Sequence, residues 1–487
     1  MYKLALILRY FQRKLIAIFA LLAVTLCTAM VIIVISVMGG FLDLMTSTAK
    51  NLSGDVIIQS DLTGFPHYDE MLDGLRRLPE VTGAAAIVRG FGLIKLHGSV
   101  RGVHISGIAP GEFNTVTNYR KTLNWTSGKY LKHLEELAAR FGDGFEAGIE
   151  EQRRWFKQND LVESSMRFEN PRGEPGRPGL IPGIAVSRYN RRDDEGAYSL
   201  WEMSTGGTAV LTVIPITTTG TLNIEPAVDR FVVVNEFKSG FLELDANFVY
   251  VPFDVLQRML GMDERQEADE ETGLATGGIF PARTTEIMIR GSDSFNLEQI
   301  EGAVRRYVEG FVRDKDMEQM IDVKNWLEDR WGTILAAVQK EKMMMAFLFG
   351  VISLVSVVMV AVIFYMIVME KTRDIGVLRA IGASRSGITV IFLGYALTVG
   401  LVGAALGLGL AYLVVQNLNE IQDLLAATVG FKMWDPKIYY FEKIPARVDL
   451  TEASIITACA VVASVMGAAI PALLAGRTDP VKSLRYE

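Results

Sequence analysis

Few side chains in this chain of 487 residues are spaced for catalysis. The four histidines, His67, His97, His104 and His133, show no H-E-x-x-H or similar metal-ligand spacing. No G-x-x-x-x-G-K-[ST] loop is present to cradle nucleotide phosphates, and no G-x-S-x-G elbow to present a nucleophile. A basic stripe with interleaved aromatics, as nucleic acid would require, is also missing. The only two cysteines, Cys27 and Cys459, fall in charge-free apolar stretches. There they read as small packing residues, not as a disulfide framework or a zinc site. The segment with a distinctive pattern is Glu370-Lys-Thr-Arg-Asp-Ile-Gly-Val-Leu-Arg-Ala-Ile-Gly-Ala-Ser384. Ile375, Leu378 and Ile381 recur every three residues, which predicts one apolar helix face. Lys371, Arg373, Asp374 and Arg379 form the other, a charged face suited to a polar socket on a partner. A short helix lying on lipid headgroups has the same composition, so composition leaves both readings open.

The elements that position this segment follow from where charge is absent. Half of the residues are hydrophobic (50%), 22% are charged and the mean hydropathy is +0.25. None of the 49 Lys+Arg or 56 Asp+Glu falls in Leu15 to Leu42, Met343 to Met369, Ser386 to Asn419 or Ala453 to Gly476. A hydrocarbon core of about 30 Å takes roughly 20 apolar helical residues, because lipid cannot satisfy unpaired backbone amides. All four stretches are long enough, and a purely soluble, disordered or disulfide-stapled chain is excluded.

Charge sets the expected orientation. Residues 1 to 14, 370 to 385 and 477 to 487 together carry +7, against −12 for 43 to 342 and −2 for 420 to 452. The positive-inside rule places both termini and the 370–385 segment in the cytoplasm, and a domain of 300 residues outside. The first stretch is too long for a signal-peptide core and is followed by no small-x-small site, so a retained helix is expected. The expected organisation is therefore a cytoplasmic amphipathic segment (1–14), helix 1 (15–42), an outer domain (43–342), helix 2 (343–369), a cytoplasmic loop (370–385), helix 3 (386–419), a small outer loop (420–452), helix 4 (453–476) and a cytoplasmic tail (477–487).

Within the outer domain, short β-rich runs alternate with amphipathic helices, an α+β pattern. Strands are expected at Asp55–Gln59, Ala84–Lys95, Val103–Ile108, Ala209–Ile216, Arg230–Asn235, Asn247–Val251, Thr285–Arg290 and Met320–Val323. Helices are expected at Tyr68–Leu78, Tyr130–Phe141, Phe145–Lys157, Pro252–Leu260 and Leu297–Val312, with a further one running from Trp326 into helix 2. The proline- and glycine-rich Pro171–Gly183 and the acidic Gly261–Gly278 read as exposed loops. The latter lacks the glycine and ligand spacing of an EF-hand. In the third helix Gly403-Ala-Ala-Leu-Gly407, and in the fourth Ser464 and Ala468, predict close helix approach. No span carries the buried Asp, Glu, Lys or Arg of a proton relay, so energy must come from outside the chain, naturally from an ATPase subunit acting on the cytoplasmic segments.

The segment Glu370 to Ser384, lying between a second and a third span, resembles the coupling loop of the FtsX-like ABC permeases. The resemblance extends to Leu8-Arg-Tyr-Phe, to Ile35-Ser-Val-Met-Gly-Gly-Phe41 and to Gly476-Arg-Thr-Asp-Pro-Val-Lys-Ser-Leu484. Within the family, the S-V-M-G-G-F ending and the size of the domain look most like permeases of the lipoprotein-releasing system. The resemblance implies a dimer of two permease chains and a cytoplasmic ABC ATPase subunit that binds ATP and Mg, with no cofactor or catalytic residue in this chain. It also implies an outer domain with a porter-like half and a β-rich half; residues 111–180 look like an insertion. Glu370, Lys371, Arg373, Asp374, Ile375, Gly376, Leu378, Arg379, Ile381 and Gly382 would form the ATPase-coupling surface.

Met38, Phe41, Leu42 and Met45, with Met343, Met344 and Phe347, would meet substrate acyl chains, since thioethers repack around different shapes. A hairpin from Val213 to Arg230, with Pro215, Thr217, Thr218, Thr219, Gly220 and Thr221 at its polar tip, would be the place to meet a periplasmic lipoprotein carrier. The function implied is extraction of a lipoprotein or another hydrophobic substrate from the bacterial inner membrane. The alternative is an FtsX-like signalling permease that activates a periplasmic partner such as a cell-wall hydrolase without transport. A drug or peptide exporter is a third reading, weakened because such members often fuse the ATPase to the permease.

Overall fold

In the computed structural model, the described residues are 15–141, 150, 154–155, 159–169, 176–188, 190–192, 198–200, 205–215, 225–268, 275–317, 321–328, 330–429 and 444–477. They divide into two units: a helical one formed by 15–44, 336–429 and 444–477, and an α+β one formed by 45–335.

The α+β unit is organised by nine strands in one sheet. These are β1 (Val56–Gln59), β2 (Val81–Leu96), β3 (Ser99–Ile108), β4 (Gly179–Pro182), β5 (Thr208–Val213), β6 (Ala227–Val233), β7 (Phe248–Pro252), β8 (Glu286–Gly291) and β9 (Asp322–Asn325). Their order is β9-β1-β8-β2-β3-β7-β4-β6-β5, and β5 also pairs with β2. The 16-residue β2 therefore serves two structures. Its first half pairs with β8, Ala85 opposite Met288. Its second half pairs with β5, Leu93 opposite Thr212, which closes β2-β3-β7-β4-β6-β5 into a circuit. Closure reduces the edge those strands leave open to another chain.

Period-2 alternation assigns each face its own core. On β1, Val56 and Ile58 face helices Tyr68–Leu75 and Leu297–Asp314, where Met71, Leu75, Ile300 and Val304 are buried. Ile57 faces the opposite side, with Phe113, Tyr119 and Met288. The second helix starts on a reciprocal capping box, Asn296 with Gln299, that satisfies two otherwise orphaned amides. Inside the closed circuit, Ile94, Val103, Leu211, Phe231 and Val249 pack with Leu256 and Leu260 of helix Phe253–Leu260. Tyr119 lies among Phe113 and Tyr250 at 5.4 and 5.1 Å, and burial pushes its phenol pKa well above the usual value.

Several expectations are corrected here. Gly179–Pro182, placed in a loop by its prolines, is a fully buried strand: its register between β7 and β6 outweighs local turn chemistry. The stretch 111–180, expected as an insertion, contributes Phe113, Val116, Tyr119 and Phe168 to the buried core. The flanks of the acidic loop, Arg265–Ala268 and Ala275–Phe280, pair as a hairpin; residues 269–274 lie outside the described residues. Trp326 follows β9 in a turn, and the helix begins at Arg330. Most of the expected helix Phe145–Lys157 also lies outside the described residues.

Among the described residues, four helices are long and apolar enough to cross a membrane. They lie within Leu15–Ser53, Arg330–Glu370, Arg385–Gln416 and Leu450–Arg477, called here the first to fourth long helices. The first continues past Leu42 to Ser53, and the second begins at Arg330, ahead of Met343, in line with the helix expected to run into it from the outer domain. A short helix, Thr372–Ala380, joins the second to the third.

Candidate functional site

The short helix is held by its buried side. Ile375 is 2% exposed and packs with Val368, Ile388, Phe392, Ala472 and Ala475 from the second, third and fourth long helices. Leu378 is half-buried, but Ile381 is 81% exposed. The expected three-residue apolar face is thus split: Ile375 anchors the helix, while Val377 and Ile381, four residues apart, present apolar surface to solvent. Arg373 and Asp374 are exposed, Arg379 is half-exposed, and Lys371 Nζ donates to Asp374 Oδ2 at 2.9 Å. Gly376 is buried. Gly382, at φ +103°, ends the helix in the left-handed region, and Ala383 N donates to Leu378 O at 3.0 Å. Ser384 then caps the third long helix by accepting from Gly387 N at 3.1 Å. Glu370 closes the second long helix immediately before the junction. The result is a rigid handle with a fixed root and a mixed apolar and cationic outer face.

Small residues let the long helices approach. A side chain at Gly403 would meet Val24 at 3.0 Å, and one at Gly407 would meet the carbonyl of Thr25 at 2.7 Å and Thr28 Cβ at 2.8 Å. Ser464 donates to Ala396 O at 3.2 Å, and Ala468 is fully buried beside Phe364 and Tyr395. Gly407→Ile is therefore expected to destabilise the helical unit by about 1–3 kcal/mol through overpacking. A lowered melting temperature of the detergent-solubilised protein is the readout, and an unchanged one would refute this packing.

The substrate residues expected from sequence are not all placed alike. Met343, Met344 and Phe347 are exposed at 69%, 53% and 70%, and Met38, Phe41 and Leu42 are partly exposed. Met45 is a correction: at 3% exposure it is used in packing and has no surface to offer a substrate. Pro215 is partly exposed just after β5, whereas Thr217, Thr218, Thr219, Gly220 and Thr221 lie outside the described residues.

Three features were not flagged by the sequence pattern. Gly40 leaves room for a close backbone approach, because a Cβ there would stand 2.8 Å from Pro445 O. Lys342 pairs with Glu452 at 2.7 Å, and Arg447 with Asp43 at 3.2 Å, tying the segments before or after the apolar runs. Opposite charges flanking separate apolar runs were the available signal. Finally, a cavity of about 310 Å³ lies among the first, second and fourth long helices, walled by Val31, Gly350, Ser353, Ala460 and Ala463 among others. Thr28 lines it; the residue is 2% exposed, and its hydroxyl has no hydrogen-bond partner among the described residues. No group of three or more His, Cys, Asp or Glu that could hold a metal occurs among the described residues.

Comparison with known proteins agrees with this geometry. Residues 346–480 match the FtsX-like permease C-terminal family, and residues 17–142 the MacB-like periplasmic core domain family. The resemblance read from Glu370 to Ser384 is thereby borne out. The chain is 24% identical over 289 residues to the lipoprotein-releasing system transmembrane protein LolC of Xylella fastidiosa strain 9a5c, covering 59% of this chain and 63% of that relative. It is 22% identical over 463 residues to LolC of Neisseria meningitidis serogroup B, covering 94% of this chain and 90% of that one. It is 29% identical over 201 residues to a probable export ATP-binding/permease protein, MacB, of Pseudomonas entomophila, covering 40% of this chain and 27% of that protein. Among solved structures, the extracellular domain of the noncanonic ABC-type transporter YknZ from Gram-positive bacteria aligns at 10% identity with a TM-score of 0.28, covering 56% of this chain and 100% of that one.

Proposed function

We propose that this chain, whose membrane-spanning C-terminal part is that of an FtsX-like permease, is the permease subunit of an ABC transporter of the lipoprotein-releasing type. A separate cytoplasmic ATPase docks on the Thr372–Ala380 helix, and its closure on ATP and Mg moves that helix. A second permease chain completes the assembly. The observation that carries this reading is the divided helix: Ile375 is locked into the long-helix core while Val377, Arg373 and Ile381 face outward. A partner that displaces the exposed face must displace the anchored helices with it. The charge asymmetry supports an orientation with both termini in the cytoplasm and the α+β unit in the periplasm of an inner-membrane protein.

The cargo is a lipoprotein or another acylated substrate lifted from the membrane. Support comes from the exposed Met343, Met344 and Phe347, and from the cavity whose walls are too small-chained to fill it. An apolar cavity of that character, open on one side, can accept an apolar guest. The hairpin at 213–230 remains the proposed meeting place for a periplasmic carrier.

Photocrosslinkers at Met38 and Met344 test the reading. In proteoliposomes turning over ATP, they are expected to capture acylated protein. Capture of a cell-wall hydrolase by the α+β unit, with no acyl adduct at either position, would replace transport by signalling.

A further inference from the structure

A second cavity, of about 230 Å³, lies wholly within the α+β unit. Its floor is one face of the sheet: Ile87 and Arg89 of β2, His104 and Ser106 of β3, Phe248 and Tyr250 of β7, and Met288 of β8 alternate onto it. Its roof is made by the ends of two long helices, Leu52 and Ser53 of the first and Trp331 and Ile334 of the second, with Phe241 and Leu244 closing one side.

Most of the polar groups on these walls already have partners. Trp331 Nε1 donates to Ser53 Oγ at 2.9 Å, Arg89 forms a two-point pair with Glu286, and Asn247 Nδ2 donates to Glu243 at 3.2 Å. The His104 ring stacks on Phe248 at 5.0 Å and meets Phe91 edge-on at 5.2 Å. The remaining surface is mainly hydrocarbon and aromatic, with the Ser106 hydroxyl on the floor, and favours an uncharged apolar guest over a headgroup or a peptide. At about 30 Å³ per water-sized group, the space takes about eight such groups, the volume of one chain segment and not of two. Leu52 lies ten residues past Leu42, so about 15 Å of helix connects the cavity's roof to the end of the charge-free stretch.

We propose that this cavity is a binding site for a single hydrocarbon chain, the acyl chain of a lipid or of a lipidated substrate, seated between the sheet and the roots of the first two long helices. The inference rests on the hydrophobic-cargo reading for the origin of that chain, but not for its chemistry. An occupied cavity holds Trp331 and Ser53 apart from the sheet floor, so the guest sets the spacing of the two helix ends.

The test is photolabelling of the full-length protein in lipid nanodiscs. One arm carries a phospholipid with a diazirine on its acyl chain, the other a peptide bearing a diazirine-tagged acyl chain. Adducts at Phe248, Tyr250 or Trp331 in either arm are expected, and the arm that yields them identifies the source. Ser106→Phe and Leu244→Trp fill the space from floor and side; either folded variant is expected to lose at least about tenfold in adduct yield there while keeping adducts on Met343 and Met344. No adduct at the three aromatics in either arm, or undiminished adducts in a folded variant, would overturn the proposal. Should both variants unfold, the wild-type map decides alone. Release of acylated substrate, measured separately, distinguishes the two readings: normal release without cavity adducts refutes this site and leaves the transport function standing.

Discussion

Arg379→Glu is expected to abolish stimulation of the partner ATPase while leaving membrane insertion and folding unchanged. Arg379 is half-exposed on the Thr372–Ala380 helix, one turn after the buried Ile375 and beside the face that carries Arg373, Val377 and Ile381. A charge reversal within a small docking surface costs about 2 kcal/mol or more, because the partner's matching group is left buried and repelled. That is about a 30-fold loss in affinity. Ile381→Asp is expected to act in the same direction by removing the most exposed apolar contact. Ile375→Asp is a different kind of variant: it places a charge in the Val368, Phe392 and Ala472 cluster and is expected to unfold the junction itself. Unchanged ATP turnover in a folded Arg379→Glu protein would remove the coupling role from this helix.

The second large effect concerns transmission. From Arg330 to Glu370 the second long helix is 41 residues without an internal proline or a break. An intact hydrogen-bond ladder resists axial compression, so this helix can carry displacement from the handle to the residues around Trp331. Leu348→Pro removes one rung and drives its ring into the preceding turn, a local cost of about 3 kcal/mol that produces a kink. The expected result is stimulated ATP turnover close to the parent level with substrate release lost, whereas Leu348→Ala retains both. Release at the parental rate from the proline variant would show that the work travels by another route.

What was legible in the sequence was legible for physical reasons. The four long helices announced themselves because lipid tolerates no ionised side chain, and their absence over whole stretches has no other simple cause. Strands such as Val56–Gln59 and Glu286–Gly291 were readable as short apolar β-branched runs, because each buries both faces against different cores. Gly179–Pro182 was not, since its four buried residues are held by partners distant in sequence, and local proline content pointed the other way. The closure of β5 onto β2 is likewise a tertiary event with no local signature.

At the handle, residue types gave the position but not the division of labour. Ile375 and Ile381 look equivalent as letters, and only the packing of the neighbouring helices buries one and exposes the other. Met45 was misread for the same reason, since an apolar residue suits a substrate surface and a core equally well. Both cavities were invisible beforehand, because a void is a property of what neighbouring side chains fail to fill.

The most direct measurement is made in one preparation: proteoliposomes holding this chain, its permease partner and the cytoplasmic ATPase, with ATP turnover and release of acylated substrate followed together. The account predicts that turnover rises when the intact chain is present, that release accompanies it, and that Arg379→Glu silences both. ATP turnover that is the same with and without this chain would contradict it.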